Sequence, residues 1–262
     1  MHSDQIGIVG AGNAGWHLAT GLYQAGFEIR QIVSKTTQHA RQLADRVGAK
    51  YLDTPVALDP ELGFLFLAIP DGAIIDVVNQ LKDFKGVVLH ISGSFPLSGL
   101  AGQSFEYGVF YPLQTFSKER PVLWKETPVF IEASSETVLG RIKTLASAIS
   151  DHVLPMDSAQ RQKLHLAAVW ANNFSNHMLT QAFRILEQNH ISPECLVPLI
   201  RETFQKALEL GPERAQTGPA ERNDLKTLEK HSELLIYDAE LKSLYELISK
   251  SIHRIASEKK SK

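Results

Sequence analysis

The chain has 262 residues, 44% of them hydrophobic, with 27 lysines and arginines set against 29 aspartates and glutamates. A chain of this size buries a sizeable core without staples, and its single cysteine, Cys195, excludes an internal disulfide or a Cys-rich zinc cluster. A net charge of −2 provides no overall basic field for holding nucleic acid, so no such partner is expected.

Met1 to Gln5 carry no basic segment, and no secretory leader is expected. Residues 5–9 read as a strand and 14–25 as a helix stopped by Gly26; 27–33 read as a strand and 34–47 as a helix stopped by Gly48. A strand at 63–69 follows, then a helix at 72–81 and strands at 87–91, 107–110 and 129–131. A helix at 136–148 and a short strand at 152–154 complete the pattern. The longest apolar run, residues 62–70, is less than half of the roughly 20 residues a membrane helix needs, so no membrane partner is expected. Beyond Met156 only helical periods remain, at 158–189, 193–210, 224–229 and 232–257, with breaks at Pro193, Pro212 and Pro219. The expected fold class is therefore α/β plus α. Residues 1–155 form a mainly parallel sheet with helices on both faces, and residues 156–262 an all-helical domain for substrate and dimerisation.

Directly after the first strand, Gly10, Ala11, Gly12, Asn13, Ala14 and Gly15 carry the spacing G-x-G-x-x-G. Gly10 serves the tight turn, Gly12 lets backbone N–H groups approach a pyrophosphate, and Gly15 allows close packing of helix on strand. This is the phosphate cradle of a Rossmann-like domain. Where an NAD site usually has an acidic residue, the second strand ends in Ser34, Lys35 and Thr36, which suit the 2′-phosphate of NADP; Glu28 lies near the wrong end of that strand. Ala68, Ile69 and Pro70 end the next strand on the ligand edge, where the small Ala68 admits the nicotinamide side of the cofactor. Asp71 serves either this site or a helix cap.

His90 and Ser92 share one face at the end of a further strand, beside the expected nicotinamide. Gln114 and Thr115 follow another strand and suit a substrate carbonyl or carboxylate. In the first long helix of the second half, Arg161, His165, Asn172 and Asn176 fall near one stripe with Asn173 at its edge, as the floor of a substrate pocket or as structural amides. The spacing is not that of H-E-x-x-H and no metal is expected. Arg222 either binds an anion or pairs with Glu221 or Asp224.

The N-terminal half resembles the NADP-binding domain of pyrroline-5-carboxylate reductase, ketopantoate reductase and the deazaflavin-dependent NADP oxidoreductases. The whole chain resembles bacterial Rossmann-like proteins with a helical C-terminal domain of uncharacterised function, assigned as NADP oxidoreductases. The resemblance rests on Gly10-Ala11-Gly12-Asn13-Ala14-Gly15, His90-Ile91-Ser92-Gly93 and Tyr111-Pro112-Leu113-Gln114-Thr115-Phe116, on Arg161 through Asn173-Phe174, and on Thr217-Gly218-Pro219 with Arg222 and Asp224. It implies an NADP-linked oxidoreductase and a dimer built through the helical domain. The expected reaction is hydride transfer between NADPH and a small carbonyl or imine, in the cytoplasm. His90 or His165 supplies the proton, while Ser92, Gln114 and Asn173 orient the reacting group. Thr115 and Asn172 bind substrate, and Arg222 neutralises its charge. The rival reading is a non-catalytic NADP-binding sensor or partner protein.

Overall fold

The computed structural model describes residues 5–81 and 83–260. The chain divides into two compact units, Met1–Met178 and Leu179–Lys262.

The first unit is built on one eight-stranded sheet. In chain order the strands are β1 Ile6–Val9, β2 Ile29–Val33, β3 Lys50–Leu52, β4 Phe64–Leu67, β5 Val87–His90, β6 Glu106–Pro112, β7 Val129–Ala133 and β8 Val153–Pro155. They lie side by side as β3-β2-β1-β4-β5-β6-β7-β8. Every pairing is parallel except β6 with β7. Helices α1 Asn13–Gln24, α2 Thr37–Val47, α3 Ile74–Val78 and α4 Glu136–Ile149 flank the sheet.

Alternation along the strands feeds three buried clusters, two of which meet at β4. Phe64 and Phe66 of β4 join a core with Leu18 and Leu22 of α1, Leu43 of α2 and Ile142 of α4, whereas Leu65 and Leu67 join another with Ile74 and Val78 of α3. Burial on both faces explains why the strands are unbroken apolar runs in the sequence. Gly48 ends α2 in the left-handed conformation, φ +67°, as its position predicts.

Several expectations need adjustment. β3 was not foreseen, because three residues between Gly48 and Pro55 give too short a period to read. α2 starts at Thr37 rather than residue 34, which leaves Ser34, Lys35 and Thr36 on the loop after β2. The expected helix at 72–81 is a 3₁₀ turn, Asp71–Ala73, followed by only five α-helical residues.

After β8, α5 Ser158–Ala168 leads into a π-helical turn, Val169–Phe174, and then α6 Ser175–Gln188. The remaining helices are α7 Val197–Leu210, α8 Pro212–Ala215, α9 Pro219–Arg222, α10 Leu225–Leu234 and α11 Ala239–Lys260. α10 runs past residue 229 and α11 starts at Ala239 rather than 232, since Asp238 accepts from Leu241 N and begins the last helix. The buried hydrophobic residues described in the helical unit are Ala220, Leu235 and Ala256. No helix among the described residues is long and apolar enough to cross a membrane.

Candidate active site

The chain passes from β1 through β2 and β3 on one side, then crosses to β4 on the other. This reversal opens a crevice at the carboxyl ends of β1 and β4, the usual ligand position in an open α/β sheet. A cleft of about 590 Å³ occupies it, bordered by Gly10, Ala11 and Gly12, by Ser34 and Lys35, and by Ala68, Ile69 and Pro70.

The three glycines have separable duties. Gly10 has φ +108°, and a Cβ there would lie 2.1 Å from the carbonyl oxygen of Ala68. A Cβ on Gly15 would lie 2.0 Å from the oxygen of Gly10. Gly12, the N-cap of α1, has no atom within 4 Å of its virtual Cβ. The space above Gly12 is thus open while that around its neighbours is filled. No side chain caps α1 and no acidic residue sits in its first turn, so its free N–H groups and positive dipole end fit a pyrophosphate. The side chain of Asn13 is engaged elsewhere: Nδ2 donates to the carbonyl oxygen of Phe116 at 3.0 Å. Next to it, His17 Nε2 lies 2.8 Å from the oxygen of Ser117, so the loop after β6 is fastened to the start of α1.

At the other end of the cleft, Lys35 is exposed and Ser34 Oγ accepts from Thr36 N at 3.3 Å. The wall opposite consists of Asp53, Thr54 and Pro55 after β3 and of Ala73, Asp76, Val77 and Gln80 around α3. Sequence reasoning missed these residues. Asp53 follows the unread strand, and Asp76 and Gln80 look like ordinary solvated helix positions until the fold brings them to the cleft.

The carboxyl ends of β4, β5 and β6 carry a second polar cluster. Asp71 is not capping α3: its carboxylate accepts from Ser94 Oγ at 2.5 Å. Ser92 Oγ accepts from the backbone N–H groups of Ser94 and Phe95, at 3.0 and 2.9 Å, and so shapes the turn after β5. His90 is completely buried, and its Nδ1 accepts from Ser92 N at 3.2 Å. The proton of the neutral ring therefore sits on Nε2, which has no partner among the described residues. Burial, reinforced by the Arg161 guanidinium and opposed by Asp71, lowers the pKa of His90 to about 3. A ring so held is neutral at physiological pH.

Arg161 anchors α5 to the sheet. It is 1% exposed, pairs with Glu132 of β7 and donates to the carbonyl oxygen of Phe95 at 2.8 Å. Ser158 Oγ completes the knot by donating to Glu132 at 2.7 Å. One turn further on, His165 is half-buried, with Nδ1 3.0 Å from the hydroxyl of Tyr111.

The expected stripe on this helix is interrupted. Arg161 is enclosed, His165 is half-buried, and Asn172, Asn173 and Asn176 are exposed. The π turn puts an extra residue between the first pair and the asparagines, so α-helical spacing no longer sets their phase. Gln114 and Thr115 border a separate cleft of about 400 Å³ with Arg120 and Glu126. Arg222 is exposed at the end of α9 in the helical unit. No group of three or more His, Cys, Asp or Glu residues that could hold a metal is present among the described residues.

Residues 5–92 match the family model described as NADP oxidoreductase coenzyme F420-dependent, and residues 127–252 match a domain of unknown function, DUF2520. No curated protein matches the chain. Among solved structures, a Bacteroides fragilis protein assigned as an NADP oxidoreductase is 41% identical, with a TM-score of 0.92 over 95% of this chain and 98% of its own. A Thermotoga maritima protein is 24% identical, with a TM-score of 0.77 over 96% and 99% of the two chains. The reductive aminase of Aspergillus terreus, in complex with NADPH and ethyl levulinate, is 18% identical, with a TM-score of 0.73 over 97% of both. The last two share the fold. The identity to the Bacteroides protein over nearly the whole of both chains goes further, and this chain belongs to the same family of Rossmann-fold NADP oxidoreductases with a helical C-terminal domain.

Proposed function

We propose that the protein is an NADP-dependent oxidoreductase that reduces a small carbonyl or imine, with His165 delivering the proton. The observation that carries this reading is the open space over Gly12 between the two glycines that no side chain can replace. When bound, NADPH supplies the hydride. The α1 N-terminus and the backbone from Gly10 to Gly15 hold the pyrophosphate. Ser34, Lys35 and Thr36 receive the 2′-phosphate, and Ala68, Ile69 and Pro70 with Ser92 border the nicotinamide half.

Of the two histidines, the half-buried His165 is the one with access to a substrate. The enclosed His90 acts as a neutral support for the turn that starts at Ser92. Gln114, Thr115, Asn172, Asn173 and Arg222 are assigned to substrate on their sequence pattern, the first two to its polar end and Arg222 to an anionic group.

The working form is a homodimer joined through the helical unit. In support, Leu208, Leu234, Ile236 and Leu247 are 87%, 71%, 79% and 65% exposed, large apolar side chains that a partner could cover. The exposed free thiol of Cys195 fits a reducing cytoplasm.

The test is titration of the purified protein with NADPH and NADH, followed by cofactor oxidation with cyclic imines and keto acids. Tight NADPH binding and substrate-dependent consumption are expected; failure to bind either nucleotide would sink the reading. Sedimentation should give the mass of two chains, and a monomer would remove the dimer.

A further inference from the structure

The proton assigned to His165 must sit on the ring nitrogen that meets the substrate, and a neutral imidazole can carry it on either one. Two neighbours restrict this ring. On one side lies the backbone of Gly93, where a Cβ would come within 2.5 Å of His165 Nδ1 and 2.6 Å of Cγ. On the other stands Tyr111, near the end of β6, its ring edge-on to the imidazole at 78° and its hydroxyl 3.0 Å from Nδ1. Tyr111 is only 7% exposed and is backed by Phe130, so the phenol is fixed and shielded while His165 stays accessible. Arg161, one helical turn before His165, adds positive charge to the same neighbourhood.

Resting on the oxidoreductase reading, we propose that Tyr111 is the positioning residue behind His165: its hydroxyl donates to Nδ1, fixes the ring with its proton on Nε2, and replaces that proton as it is delivered. In the step, the Nε2–H bond breaks as a bond forms between hydrogen and the substrate oxygen or nitrogen. The phenol O–H bond breaks as an N–H bond forms on Nδ1. Bound NADPH would supply the hydride that reduces the substrate carbon, becoming NADP⁺. The imidazole ends neutral, and the phenolate recovers its proton from solvent through the same path. Burial raises the pKa of Tyr111 and Arg161 opposes that rise, so the phenol is intact at rest and its anion has a cation nearby. Neutral imidazole as a donor to a reacting oxygen is an established catalytic device.

The experiment compares wild type with Tyr111→Phe, which keeps the ring contacts and removes the hydroxyl. Expected is a fall in kcat of about 100-fold, with substrate KM and NADPH affinity within about twofold. A merely structural role would instead lower thermal stability and move KM with kcat. The second readout needs no substrate: nitrogen-15 NMR of the neutral His165 ring. Wild type should show one tautomer, protonated on Nε2, and Tyr111→Phe a mixture containing the Nδ1-protonated form. A wild-type ring protonated on Nδ1, or a variant with unchanged kcat, overturns the proposal. If wild type consumes no NADPH, the reading of function fails, while the wild-type tautomer still decides whether Tyr111 holds the ring.

Discussion

Replacing Gly12 by Ala separates what the cradle does for folding from what it does for binding. At φ −71° and ψ −173°, Gly12 has a backbone that alanine adopts without strain, and its new methyl would meet no protein atom within 4 Å. Loss of unfolded-state freedom stabilises such a variant by about 0.4–1 kcal/mol. Alanine is a poorer N-cap than glycine by a similar amount. The two terms offset, and the melting temperature should stay within about 2 °C of wild type, given roughly 2–4 °C per kcal/mol for a chain of this size. Binding is another matter. The methyl stands where phosphate oxygens must reach the first N–H groups of α1, and losing two charge-assisted hydrogen bonds costs about 3–6 kcal/mol. NADPH affinity should therefore fall at least about 100-fold. Thermal unfolding and NADPH fluorescence titration on one preparation measure both. A variant that binds NADPH like wild type refutes the cradle; one that melts many degrees lower refutes the claim that the space is free. Gly15→Ala, whose Cβ would lie 2.0 Å from a backbone oxygen, should fail in the opposite order by losing stability first.

Three further outcomes follow from the same structure. Lys35→Ala with Ser34→Asp should weaken NADPH by about 10- to 150-fold, the worth of one charged contact, and leave NADH affinity unchanged or improved; equal losses for both nucleotides would remove these residues from the 2′-phosphate site. Arg161→Met leaves Glu132 facing a cavity without its cation and should cost about 3–5 kcal/mol by urea unfolding, most of it regained in Arg161→Met with Glu132→Leu. A single variant as stable as wild type would contradict the buried pair. His90 is neutral in the folded protein down to about pH 3, whereas an unfolded histidine takes up a proton below about 6.5. Its contribution to stability is complete above that value and is lost as pH falls through the window, so wild type should lose about 1.4 kcal/mol more per pH unit than His90→Asn between about pH 6 and 4. Parallel curves would show that the ring titrates normally.

The long strands and the glycine turn were legible because each rests on local chemistry. Gly10, Gly12 and Gly15 follow a strand and open a helix, and the apolar runs of β1, β4 and β5 are those of strands covered on both faces. What escaped notice depended on partners distant in sequence. Tyr111 at a strand end reads as an ordinary core aromatic; only the contact of its hydroxyl with His165, 54 residues further along the chain, sets it apart. Asp53 and Asp76 become neighbours of one cleft through a crossover of the sheet. The reversal of β7 against β6 left no trace, since an antiparallel strand buried on both faces has the same apolar run as a parallel one.

The π turn at Val169–Phe174 also bears on how this helix can vary. Such a turn is an α-helix holding one residue more than its regular hydrogen bonds can accommodate. Removing one residue there would restore regular bonding and shorten the axis by about 1.5 Å, but it would rotate the side chains of Ser175 to Met178 by about 100° relative to Arg161 and His165. The extra residue thus lets the register of the residues just after the turn be set independently of the knot at Glu132. Length polymorphism in related chains should concentrate in these six residues.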